Sequence, residues 1–234
     1  GHVLLLSWWL TTEFSAAVAR LILDENPLTG GRRPTDFDTD ITGITALCDT
    51  LKTSSVTELG LAKCRLGPGS LGKLAEYVRD AEAALNSLKC ANNPGMVGEL
   101  EYGKTWRKTP DAHAEVFKQL TDNLKTSQVT EVDFSSCGIG PVALGHLSDW
   151  VREATAAVAR LSLSGNMITG SLCDKSTDYE WECDKDLSGL ISLCDALLAL
   201  KNPIDLDLSE CGLSVDAVNP VAKAISAGAV VNSL

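Results

Sequence analysis

Leucines two residues apart recur along the chain, and each pair is followed three places later by Asn or Cys. The pattern L-x-L-x-x-[N/C] is cleanest in Leu59-Gly-Leu61-Ala-Lys-Cys64 and Leu206-Asp-Leu208-Ser-Glu-Cys211. A period of two predicts strands at these places, and at Leu21-Ile-Leu23, Leu88-Lys-Cys90 and Leu161-Ser-Leu163. Downstream the period lengthens. Leu71, Leu74, Val78, Ala81 and Leu85 recur at steps of three and four, while Lys73, Glu76 and Arg79 fall elsewhere, which predicts one apolar helical face. Leu144, Leu147, Val151, Ala154 and Val158 repeat it. Further helices are predicted over residues 40–53, 112–126 and 186–200, with Asp40 and Asp186 as N-caps.

The units are copies. Residues 53–88 and 126–161 align without a gap at 17 of 36 positions. A third copy begins near Asn202. Cys64, Cys137 and Cys211 are equivalent at spacings of 73 and 74, and Asn26, Asn93 and Asn166 alternate with them. Residues 7–21 fall in register with 74–88, so the Trp-rich start is expected to be the helix of one more unit.

This alternation of Asn and Cys units, 29 residues apart in the Cys-to-Asn step, resembles the leucine-rich repeats of the ribonuclease-inhibitor-like family over essentially the whole chain. The resemblance implies an α/β fold, a right-handed solenoid shaped as a horseshoe, with a parallel inner sheet and outer helices. One domain over 1–234 is expected, cut within a repeat at both ends, with further repeats or neighbouring subunits covering those ends. Family members include inhibitors, immune sensors and GTPase-activating proteins, but no partner-specific motif carries any of those roles onto residues of this chain.

Thirty-one acids against twenty bases give a net charge of −11, which argues against a nonspecific grip on nucleic acid or anionic lipid and favours a basic or neutral protein partner. The apolar stretches are too short for a membrane helix. No N-x-[ST] acceptor with a permitted middle residue occurs, so an intracellular, cytoplasmic setting is expected.

Motifs of chemistry fail on inspection. Gly67-Pro-Gly69-Ser-Leu-Gly72 has the G-x-G-x-x-G form, but the sister copy reads Gly140-Pro-Val142-Ala-Leu-Gly145 and the third has Ser214 in place of Gly67. These glycines read as repeat turns, and no cofactor is expected. Asp36-Phe-Asp38-Thr-Asp40 imitates a calcium loop, yet Ile41 and Leu47 stand where Gly and Glu belong. His2, His113 and His146 lie on different units. No catalytic or metal residue is assigned, and an enzyme is not expected. Cys48, Cys64, Cys90, Cys137, Cys194 and Cys211 are expected to be reduced and buried. Cys173 and Cys183, in a polar insertion, close a small loop only if the compartment is oxidising.

Two surfaces are candidates for partner binding. Outward strand positions hold Asp24, Glu25, Glu58, Glu131, Asp133, Asp205, Asp207 and Glu210 against Arg20, Lys63, Lys89 and Arg160, which predicts an acidic concave wall. The Asn-to-Cys units also exceed 29 residues by 9, 15 and 16. The excess falls in insertions 27–39, 94–110 and 167–185, which share one edge and carry Phe37, Tyr102, Trp106, Tyr179 and Trp181. Amphipathic rings in polar loops fit an interface, or loops packed on one another as a roof. The sequence therefore predicts a protein-interaction module; the alternatives are a structural subunit of a larger complex or a regulator of a partner enzyme.

Overall fold

The computed structural model describes residues 2–33, 35–81, 85–100, 108–170 and 184–234. Strand and helix alternate along it: α1 (His2–Leu10), β1 (Arg20–Ile22), α2 (Thr42–Leu51), β2 (Glu58–Gly60), α3 (Pro68–Asp80) and β3 (Ser87–Lys89). There follow β4 (Glu99–Leu100), β5 (Lys108–Thr109), α4 (Ala114–Leu124), β6 (Glu131–Asp133), α5 (Pro141–Glu153) and β7 (Arg160–Ser162). The last elements are α6 (Ser188–Ala199), β8 (Ile204–Asp207), α7 (Val215–Ser226) and β9 (Val231–Ser233).

Seven strands form one parallel sheet in the order β1-β2-β3-β6-β7-β8-β9, so neighbours in this sheet follow one another along the chain, with only β4 and β5 set apart between β3 and β6. The register stacks the first leucine of every unit: Leu21, Leu59, Leu88, Val132, Leu161 and Leu206 lie side by side. The segments at 59, 132 and 206 thus share the sheet expected of them. Because successive strand residues point to opposite faces, this column turns to the helices, and Leu59 through Leu206 are at most 2% exposed. Each helix packs on the next along the chain, giving one helical layer and one continuous core. Tyr77 and Trp150 fill it on α3 and α5, and the Phe117 and Phe134 rings meet edge to face at 5.3 Å.

Local chemistry sets the helix ends. Proline opens α3 and α5 at Pro68 and Pro141, where a missing N–H costs nothing. Helices α2 and α6 begin two residues later than the sequence suggests. The carboxylates of Asp40 and Asp186 accept the amides of Thr42 and Ser188, at 2.9 and 2.8 Å, and each makes a turn ahead of the helix while Ile41 and Leu187 take the cap position. The second insertion contains a short antiparallel ribbon, β4 on β5. Among the described residues no helix is long and apolar enough to cross a membrane.

Candidate functional site

One sheet face is left uncovered by helices, and the register orders its side chains into two rows. The first reads Arg20, Glu58, Ser87, Glu131, Arg160, Asp205; the second reads Ile22, Gly60, Lys89, Asp133, Ser162, Asp207. Asp24, Glu25 and Glu210 lie at the turns that follow the strands. The predicted acidic positions are therefore brought together on one surface.

Its charge is more neutralised than a count of acids implies. Glu58 is held by Arg20 at 3.0 Å and by Lys89 at 2.6 Å, and the Lys89 hydrogen bond is the main cause that lowers its pKa. Lys63 pairs with Glu25 at 2.8 Å, lowering the pKa of the exposed Glu25, and Arg160 pairs with Asp205 at 3.3 Å. All four cations of the wall are engaged. Three further carboxylates serve the backbone: Asp24 accepts from the Ala62 amide, Asp133 from Ser135 and Asp207 from both the amide and hydroxyl of Ser209. The Ser209 hydroxyl is the main cause that lowers the pKa of Asp207. Asp24, Glu131, Asp133, Asp207 and Glu210 take part in no ion pair among the described residues, and all but Asp24 lie in the middle and carboxyl-terminal half of the wall.

The turns beside the wall are built by the Asn and Cys residues. Asn93 donates to the carbonyls of Cys90 in its own unit and Leu61 in the preceding one, at 2.7 and 2.9 Å, and accepts from the Leu66 amide. Asn166 donates to Leu163 and Phe134, and its oxygen accepts three successive amides, Cys137, Gly138 and Ile139, each at 3.0 Å. In the alternate units a thiol does the reaching: Cys64 donates to Leu23, Cys137 to Cys90 and Cys211 to Leu163. Asn93, Asn166 and the three cysteines thus each satisfy one strand-end carbonyl of the previous unit. The residue before each of them is left-handed: Glu25, Lys63, Asn92, Ser136, Gly165 and Glu210 have φ between 52° and 70°.

The insertion edge has its own periodicity, which sequence reasoning missed. Asp38, Asp111 and Asp184 recur every 73 residues, all at positive φ, and each reaches the amino end of the next unit's α3, α5 or α7. Asp38 accepts from the amides of Gly67 and Ser70 at 3.0 and 2.9 Å and from the Ser70 hydroxyl. Asp111 accepts from Gly140, Val142 and Ala143. Asp184 accepts from the Ser214 hydroxyl. Counting back 26 or 27 residues from each repeat cysteine finds all three.

These contacts explain the glycine motif. The amides that would cradle a phosphate already hold a carboxylate, and a methyl group at Gly67 would stand 2.7 Å from Asp38 Oδ2. The three aspartates of the calcium-like run also diverge: Asp36 accepts from Arg32 and Arg33, Asp38 from α3 and Asp40 from α2. Among the described residues no group of three His, Cys, Asp or Glu is placed to hold a metal ion.

Phe37 is half-buried against the next insertion. Its ring lies where a methyl group at Gly95 would come within 2.3 Å, and it lines a cleft of about 190 Å³ with Lys63, Arg65, Asn92 and Pro94. Tyr102, Trp106, Tyr179 and Trp181, like Cys173 and Cys183, lie outside the described residues. The other six cysteines are free and buried. Burial pushes the thiols of Cys48, Cys64 and Cys137 up to about 12, those of Cys194 and Cys211 to about 11, and Cys90 well above its ordinary value.

No protein-family model and no curated protein matches the chain. Among solved structures it is similar to actin-binding site 2 of leiomodin-1, at 12% identity and a TM-score of 0.49, over 69% of this chain and 76% of that one.

Proposed function

We propose that the chain is a protein-recognition module of the leucine-rich-repeat kind, ribonuclease-inhibitor-like in its alternating Asn and Cys units, that coils as a right-handed solenoid. Its partner is a protein with a basic or neutral surface, met by the open sheet face and the insertion edge, and the module performs no covalent chemistry of its own. Six buried free thiols suit a reducing, intracellular setting. The observation that carries the reading is the uncovered face itself. Two aligned rows stand there, polar except at Ile22 and Gly60, with Glu131, Asp133 and Asp207 outside the ion pairs, and a focused negative field attracts cationic surfaces.

Affinity capture with the 234-residue chain, followed by binding measurements on the recovered partner, tests it. Reversing Asp133 and Asp207 to Lys, or changing Trp106 and Trp181 to Ala, is expected to weaken binding about tenfold or more in at least one set. Full binding by both sets overturns the reading.

A second reading, a subunit held permanently in a larger assembly, is favoured by α1. That helix is apolar on all sides, and Leu5 and Trp8 remain 64% and 67% exposed. Sedimentation of the isolated chain separates the two: a monomer at micromolar concentration supports recognition, and obligate association supports the subunit.

A further inference from the structure

Strand β6 carries two carboxylates at the middle of the open face, and the cations beside them are turned elsewhere. Lys89 lies opposite Asp133 in the register, yet its ammonium bonds Glu58 at 2.6 Å. Arg160 lies opposite Glu131, yet its guanidinium bonds Asp205 at 3.3 Å. Asp133 gives one oxygen to the Ser135 amide and Glu131 gives none to any described residue. Acceptor capacity is left over where the intramolecular donors have chosen the other side.

A second observation falls at the same place. Ser87 stands between Glu58 and Glu131 in the first row, and because its neighbour Leu88 is fully buried in the core, its own side chain faces the open wall. The residue is only 6% exposed and its hydroxyl has no hydrogen-bond partner. A polar group withdrawn from water and left unpaired is destabilising, so a donor brought to it recovers part of that cost.

We propose that Glu131, Asp133 and Ser87 form the subsite at which an arginine side chain from a basic segment of a protein partner docks. This rests on the recognition reading and narrows it to one strand. The two carboxylates are two residues apart on one strand face, about 7 Å, and Ser87 is one strand over, about 4.8 Å. A guanidinium suits that triangle: one edge forks onto a carboxylate while its remaining N–H groups reach the hydroxyl or the second acid. A lysine ammonium is a point charge with a larger hydration cost, and it engages one carboxylate at a time.

The test uses the whole chain, labelled with nitrogen-15 and titrated with acetyl-triarginine amide at low ionic strength, with tricitrulline and trilysine peptides as controls. Amide shifts are expected to centre on Ser87, Glu131 and Asp133, and tricitrulline is expected to cause none. The double variant Glu131→Gln, Asp133→Asn is expected to lose about tenfold in affinity, and Ser87→Ala about threefold. Glu115→Gln, at an exposed position on helix α4 away from the sheet face, stays within about twofold. Asn at 133 keeps a carbonyl oxygen for the Ser135 amide, so an unchanged unfolding midpoint certifies the fold of the double variant. A shift map centred on Asp205, Asp207 and Glu210, unchanged affinity in the double variant, or equal binding of trilysine overturns the arginine subsite and leaves recognition by the acidic face standing. A triarginine peptide that perturbs no residue of the sheet face counts against both.

Discussion

The Asp111 carboxylate fits over the first turn of α5 because Gly140 has no side chain. Its oxygens accept the Gly140 and Val142 amides at 2.8 and 2.7 Å, and a methyl group at Gly140 would stand 2.5 Å from Oδ2. A helix begins with amides that lack intrahelical partners, and here an insertion loop supplies the acceptor. Asp111→Ala is expected to lower unfolding free energy by about 1–2 kcal/mol, as loss of a helix cap does. Gly140→Ala is expected to cost about 1–3 kcal/mol through displacement of the same carboxylate. Urea unfolding of the two single variants and the double variant measures both; the double costs less than their sum, because either change breaks the same contact.

The asparagines rank by their reach. Asn93 and Asn166 are buried and bonded across units, whereas exposed Asn26 donates only to Leu23 and Asp24 in its own turn. Asn166→Ala leaves three amides and a carbonyl of the preceding unit without their partner and is expected to cost about 3 kcal/mol or more. Asn26→Ala stays below about 1 kcal/mol. Equal costs at the two positions, read from denaturant midpoints, would contradict this account.

The left-handed residue ahead of each Asn or Cys makes an opposite prediction. Ser136 adopts φ 52°, a conformation that a side chain disfavours by about 1 kcal/mol or more, and glycine adopts it freely. Ser136→Gly is expected to be neutral or to raise the thermal midpoint slightly. Gly165→Ala, at φ 70° and with its new methyl 2.5 Å from the Ser136 hydroxyl, is expected to lower it by several degrees.

Buried thiols tie stability to alkaline pH. The folded chain holds Cys48, Cys64 and Cys137 protonated up to about 12, against 9.0 for the ordinary group. A pKa raised by folding contributes stability that is complete below about pH 9 and is lost as pH climbs from there through the folded value. The unfolding midpoint is therefore expected to be level from pH 7 to 9 and to fall above it. At pH 8 a thiol reagent is expected to leave these three cysteines unmodified until denaturant is added.

Phe37 has a measurable structural share. Its ring fills the space beside Gly95 between two insertions, so Phe37→Ala is expected to destabilise the chain by about 1–3 kcal/mol with no partner present. A variant of full stability that loses partner binding would assign the ring to recognition alone.

The strands were legible in the sequence because period-two leucines and a repeated Asn or Cys leave little freedom in register. Leu59, Val132 and Leu206 fall in one sheet, as their spacing requires. The pairing on the open face was not legible. A count of acids gives the sign of the surface, but Lys89 choosing Glu58 over Asp133 is a matter of side-chain reach across neighbouring strands. Asp38, Asp111 and Asp184 escaped for another reason. They sit at the ends of insertions of unequal length, so alignment by strand position separates them, although their distance to the following cysteine barely changes.

Because every strand of the main sheet has its sequence neighbours as its spatial neighbours, no pairing depends on residues far away along the chain. Excising residues 65–137 would splice Cys64 onto Gly138, one equivalent position to the next, and leave every remaining strand with a compatible companion. Gene duplication or loss in whole periods is then a mild event for folding but a drastic one for recognition, since it shortens or lengthens the charged rows without altering any single residue in them.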